Sequence, residues 1–186
     1  MNTTEYALVI TDELRRTLSQ ADPAAGERLT DAILAAEKII VAGAGRSGFA
    51  AKAFAMRLMH LGFDAYVAGE TITPNLTDRD LFLVCSGSGE TGSLVAMARK
   101  AKQIGARIAT VTVRPEGTVG GMSDIAVQIP ALTPKADVPN ACQSIQPMGS
   151  LFEQSLFLFL DAVVLRLMEK RGDDSGHMYT RHANLE

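Results

Sequence analysis

Apolar and polar positions change their rhythm several times along this chain, and each rhythm predicts an element. Residues 4–19 place Ala7, Ile10, Leu14 and Leu18 at helical intervals, so a first helix with that stripe turned inward is expected. Asp22 and Pro23 read as N-cap and first-turn proline of a second helix, with Ala25, Leu29, Ile33 and Ala36 facing the core. Short apolar, β-branched runs then alternate with helical stretches. Strands are predicted over 38–42, 65–68, 81–85, 107–113 and 125–129, and helices over 47–61 and 91–104, closed by Gly62 and Gly105. Residues 130–147 are rich in proline and polar groups and read as loop. A long apolar helix is expected from about 150 to 171, followed by a polar tail, 172–186, that moves unless a partner holds it.

Strand–helix alternation across 38–130 implies an α/β fold with a parallel sheet and right-handed crossovers. The run Leu81-Phe82-Leu83-Val84-Cys85 is apolar without interruption, as befits a strand covered on both faces. Five strands suit the flavodoxin-like order 2-1-3-4-5, with helices of residues 1–37 and 149–171 flanking the sheet core in a single domain of 186 residues. In that order the first and third strands are neighbours and their helices leave to opposite faces. Ligands bind at such a switch point.

Composition narrows the function. With 47% hydrophobic residues the chain can bury a sizeable core. A net charge of −3 without a basic block speaks against nucleic acid or a membrane surface as partner. The first residues lack the basic and apolar regions of a signal peptide, and no apolar run is long enough to span a bilayer. Cys85 and Cys142 are the only cysteines, and reduced thiols in a cytoplasm are expected. His60, His177 and His182 lack zinc-ligand spacing, so no metal is expected.

The candidate chemistry sits in two glycine-rich loops at the predicted switch point. Gly43-Ala44-Gly45-Arg46-Ser47-Gly48 follows the first strand, and Ser86-Gly87-Ser88-Gly89-Glu90-Thr91-Gly92 follows the third. Glycines let backbone approach a ligand, the helix behind each loop offers unpaired N–H groups, and the hydroxyls add donors. A phosphate seat is the leading interpretation. Both loops also fit the dinucleotide pattern G-x-G-x-x-G, and Glu70 stands where a ribose-binding acid would be. Two such turns in one small domain, one of them as rich in hydroxyl as in glycine, favour a compact phosphate monoester. A purely structural turn remains the third alternative.

These loops, together with Gln146-Pro147-Met148-Gly149-Ser150-Leu151-Phe152-Glu153-Gln154, resemble the sugar isomerase (SIS) domain, and within it the 6-phospho-3-hexuloisomerase family. The stretch 54–60 and the ending Arg181-His182-Ala183-Asn184-Leu185-Glu186 are similar to that family too. The resemblance implies reversible conversion of 3-hexulose 6-phosphate to fructose 6-phosphate in formaldehyde assimilation or detoxification, by a homotetramer without a cofactor. It places the family's functional residues at Ser47, at the loop Ser86, Gly87, Ser88, Gly89, Glu90 and Thr91, and at Glu153 as proton acceptor. Arg46 is a further candidate for the developing negative charge, and His182 for a substrate contact in its own or a neighbouring subunit.

Blander interpretations stand beside these. Ser150 and Glu153 have capping-box spacing, and on that reading Glu153 serves only to open the last helix. The alternative for Arg46 is a surface ion pair. His60 lies thirteen residues beyond Ser47, roughly 20 Å along a helix at about 1.5 Å per residue, and is expected to pack rather than reach the crevice of its own subunit. Other SIS functions are an aldose–ketose isomerase and a non-catalytic phosphosugar sensor; the latter would need a partner domain and has no use for Glu153.

Overall fold

The computed structural model describes residues 1–133 and 142–185. Five parallel strands form one sheet: β1 (Ile39–Gly43), β2 (Ala65–Val67), β3 (Leu81–Cys85), β4 (Arg107–Thr112) and β5 (Ile125–Gln128). Their order is β2-β1-β3-β4-β5, with Gly43 opposite Cys85 where β1 and β3 end together. The expected order is therefore observed.

Successive strand residues point to opposite faces and feed two cores. Ile39, Val41, Leu81, Leu83 and Cys85 pack with α2 (Pro23–Ala35), α3 (Gly45–His60) and α6 (Ser150–Arg171). Ile40, Ala42, Phe82 and Val84 pack with α4 (Gly92–Ile104) and α5 (Thr118–Met122). Coverage of both faces is why β1 and β3 read as unbroken apolar runs. Since α3 and α4 leave neighbouring strands for opposite layers, a crevice opens between their N-termini.

Punctuation chemistry sets the helix ends. Asp22 caps α2 by accepting the Ala24 N–H at 2.9 Å, and Pro23 occupies the first turn. Gly62, Gly105 and Gly172 follow α3, α4 and α6 with φ of 85°, 88° and 69°, left-handed conformations that a Cβ disfavours.

Two expectations are corrected. In α1 (Thr3–Leu18) the fully buried side chains are Glu13 and Thr17, while Ala7 is exposed and Ile10, Leu14 and Leu18 are only half-buried. The helix lies on α6 and the 144–146 segment, so its inward edge meets hydrogen-bonding groups as well as apolar ones. The tail is also not free: Ser175–Tyr179 forms a short helix, α7, capped by Asp174. Met178 packs on the core, and His182 stacks between Tyr179 and His60 with ring centroids 5.7 and 5.5 Å away. Between β4 and β5 lies a further short helix, α5, which sequence periodicity did not indicate. Residues 134–141 of the expected loop lie outside the described residues.

Candidate active site

The β1–α3 turn is shaped by backbone contact. A Cβ on Gly48 would stand 2.8 Å from the Gly43 carbonyl oxygen, and one on Gly43 would stand 2.9 Å from Gly48 Cα. The two glycines thus let helix and strand meet, and Gly45 turns between them with φ 56°. This accounts for the dinucleotide-like spacing without a dinucleotide. Glu70, the ribose-acid candidate, is ion-paired with Lys52 and does not line the crevice.

The second loop is held from outside. Thr112 Oγ1 and the Val113 N–H both donate to the Gly87 carbonyl, at 3.1 and 3.0 Å. Gly89, at φ 67°, receives the Val119 N–H on its carbonyl. Ser86 Oγ accepts the Gly89 N–H and Ser88 Oγ accepts the Glu90 N–H, each at 3.2 Å. Each hydroxyl thereby spends a lone pair on the loop and keeps its proton to donate to a ligand. The Phe152 ring, 1% exposed, lies against Gly87, where a Cβ would come within 3.1 Å of it. Burying such a ring stabilises by roughly 1.5–3 kcal/mol. It fixes the start of α6 over the loop.

Arg46, Ser47, Ser86, Gly87, Ser88, Thr91 and Glu153 converge on one crevice of about 300 Å³. The helices α3, α4 and α6 all begin on its wall, and among the described residues none has a side chain capping its first turn, unlike α1 and α2. Their open N–H groups and positive dipole ends favour an anion there.

Glu153 is not a capping residue. The N-cap of α6 is Gly149 rather than Ser150, and no capping side-chain bond forms among the described residues. The carboxylate instead accepts Arg46 Nε at 2.6 Å, with the Glu153 side chain 21% and the Arg46 side chain 62% exposed. A base candidate and a cation therefore share the mouth of the crevice, both open to a ligand.

Three expected residues lie elsewhere in this chain. Gly89 belongs to the loop but does not line the crevice. Glu90 turns its carboxylate to Thr118, accepting the backbone N–H at 2.8 Å and the hydroxyl at 2.7 Å, and those bonds hold its pKa below the usual value. It closes the otherwise open first turn of α5. His182 sits on His60 at the far end of α3, away from the crevice of its own chain. Burial and the neighbouring Arg57 and His182 push the His60 pKa down. Cys85, at the crevice floor, is fully buried, which pushes its thiol up to about 12 and leaves it unreactive.

Sequence reasoning missed Thr133, Met148 and Gly149, which also line the crevice. Thr133 brings a buried hydroxyl with no hydrogen-bond partner among the described residues. No periodic pattern marks these positions; the resemblance of the 146–154 segment was the only signal near two of them. Among the described residues no cluster of His, Cys, Asp and Glu has metal-site geometry, and no helix is long and apolar enough to cross a membrane.

Comparison with known proteins adds the following. The model of the SIS domain matches residues 32–158. A 3-hexulose-6-phosphate isomerase of Bacillus subtilis is 49% identical, with all of both chains aligned. One from Mycobacterium gastri is 43% identical over 96% of this chain and 88% of its own. A solved structure from Methanococcus jannaschii, for which a molecular function of 3-hexulose-6-phosphate isomerase was inferred, superposes with a TM-score of 0.85 at 33% identity, covering 98% of this chain and 99% of that one.

Proposed function

The chain belongs to the SIS domain family, and on that premise we propose that it interconverts 3-hexulose 6-phosphate and fructose 6-phosphate. The observation that carries this reading is the meeting of an anion seat and an accessible carboxylate, Glu153, in one crevice. Full-length similarity to 3-hexulose-6-phosphate isomerases selects the sugar.

In the proposed mechanism the phosphate lies among the hydroxyls of Ser47, Ser86, Ser88 and Thr91 and the first N–H groups of α3 and α4. Binding energy gathered there orients carbons that lie some way off. Glu153 removes the proton from C2 of the hexulose, and the C2–H electron pair forms the C2–C3 double bond as the C3 carbonyl becomes an enediolate oxygen. The O2 proton passes to O3. Return of the carbon-bound proton to C3 leaves the ketone at C2. One carboxylate thus serves as base and then acid. Arg46 leaves its ion pair as substrate enters and, with the N–H groups of α6, meets the charge on the enediolate oxygens.

Purified protein given 3-hexulose 6-phosphate should form fructose 6-phosphate, with inorganic phosphate competing, as read by a coupled assay. Absence of turnover alongside intact phosphate binding would leave a sensor as the better reading.

Homotetramer assembly, a reducing cytoplasm and a place in formaldehyde assimilation or detoxification belong to the same proposal. Support for assembly comes from an apolar face on α3 and α6, where Phe49 is 71% and Leu165 65% exposed, with Met56, Phe157 and Leu158 also in solvent. A patch of that kind marks an interface. His182 would then touch substrate in a neighbour's crevice. Sedimentation should show an oligomer for the natural protein and smaller species for Phe49→Asp; a natural protein that sediments as a monomer at micromolar concentration refutes it.

A further inference from the structure

Helix α1 carries a carboxylate that this mechanism leaves unused. Glu13 is 3% exposed, and among the described residues no lysine or arginine forms a salt bridge with it. Taking an ionised carboxylate out of water is costly unless its lone pairs are met. Here they are met, and among the described residues every donor comes from one short segment. The Ile145 N–H donates at 2.8 Å, the Ser144 hydroxyl at 2.6 Å and the Gln146 side-chain amide at 3.0 Å. Burial pushes the Glu13 pKa up, but those bonds and the charge of Arg16 together hold it below its ordinary value. The group is an ionised, acceptor-only anchor.

What hangs from the anchor is the rim of the crevice. Ser144 Oγ also accepts the Gln146 N–H at 2.9 Å, so the segment is tied to itself as well as to α1. Two residues further on, Met148 has φ 57°, the only left-handed non-glycine among the described residues. Such a backbone persists only where its surroundings hold it. Met148 and Gly149 line the crevice, and Gly149 is the N-cap of α6. A second link runs through the side chains: Gln154 Nε2 donates to Gln146 Oε1 at 2.8 Å, and Gln154 follows Glu153 directly.

We propose that Glu13 is a positioning residue for the isomerisation: it hangs the 144–149 rim from α1 and, through Gln146 and Gln154, sets the first turn of α6 from which Glu153 reaches the substrate. The proposal rests on the isomerase reading of the crevice. The phosphate seat is built on different supports, β4 and α5, and does not depend on Glu13. Loss of the anchor should therefore disturb the base while sparing phosphate binding.

The test is Glu13→Gln in the full chain. Glutamine keeps the shape but sets an NH₂ donor against donors from Ser144, Ile145 and Gln146. Turnover of 3-hexulose 6-phosphate should fall about 10–100-fold, the scale of an ångström's misplacement, with KM and inhibition by inorganic phosphate within about threefold of the natural protein. Amides of residues 145–150 should exchange with deuterium faster, while those of β3 do not. Adding Gln146→Glu, which swaps carboxylate and amide across the same contact, should recover at least about tenfold of kcat. Turnover within twofold of the natural protein overturns the proposal. So does a loss in which phosphate affinity and global stability fall along with kcat, since that describes a fold defect. If the natural protein itself fails to isomerise the hexulose, the isomerase reading falls, and deuterium exchange alone decides the anchor: unchanged exchange at 145–150 refutes it.

Discussion

Glu153→Gln should reduce turnover of 3-hexulose 6-phosphate by about 10²–10⁴-fold, the usual cost of removing a general base. Glutamine preserves the outline of the side chain and still accepts a hydrogen bond from Arg46, but it does not take a proton from carbon. Helix α6 loses no cap, because Gly149 rather than a Ser150–Glu153 box opens it. Phe152, fully buried beside it, keeps the first turn seated. Folding and inhibition by inorganic phosphate should therefore stay near normal. Isotope exchange separates base loss from a binding defect: the natural protein should introduce deuterium from solvent at C2 of the hexulose, and the variant should not. A variant that turns over within tenfold of the natural rate would move the base to another residue.

Much of this site can be read from the chain, for a local reason. A hydroxyl-and-glycine loop between an apolar strand and a helix carries its chemistry in adjacent residues, so Ser86, Ser88 and Thr91 need no tertiary information. The switch point follows from strand order; right-handed crossovers leave only a few orders open, and the flavodoxin-like one expected among them is the one observed. Departures occur where a distant element changes a side chain's use. Glu90 stands in a ligand-binding context, yet α5, hidden by two glycines in five residues, presents an open N–H that the carboxylate closes. Glu13 looks like a solvated position on α1, and only contact with a segment over 130 residues away buries it. The tail is polar in composition, but ring stacking of Tyr179, His182 and His60 is invisible to hydropathy. Thr133 and Met148 come from a stretch without periodicity and enter the crevice because the fold brings its ends there.

Gly48→Ala is the second change with a large expected effect. Elsewhere in a helix, glycine to alanine gains up to about 1 kcal/mol of propensity. Gly92 illustrates that case: it opens α4 with no atom of the described residues within 4 Å of a would-be Cβ. At Gly48 the Cβ would lie 2.8 Å from the carbonyl oxygen and 3.0 Å from the carbonyl carbon of Gly43, both backbone atoms at the end of a central strand. No rotamer relieves that contact, so the N-terminus of α3 must lift from β1. Overpacking of this kind costs about 1–3 kcal/mol net. The displaced residues are Gly45, Arg46 and Ser47, one wall of the anion seat and the partner of Glu153. The melting temperature should fall by several degrees, on the order of 2–4 °C per kcal/mol for a chain of this size. KM for the sugar phosphate should rise about tenfold or more, whereas Gly92→Ala should leave stability equal or higher. A Gly48→Ala protein with natural stability and natural KM would show that the β1–α3 turn yields freely, and that close backbone approach is not what shapes the phosphate seat.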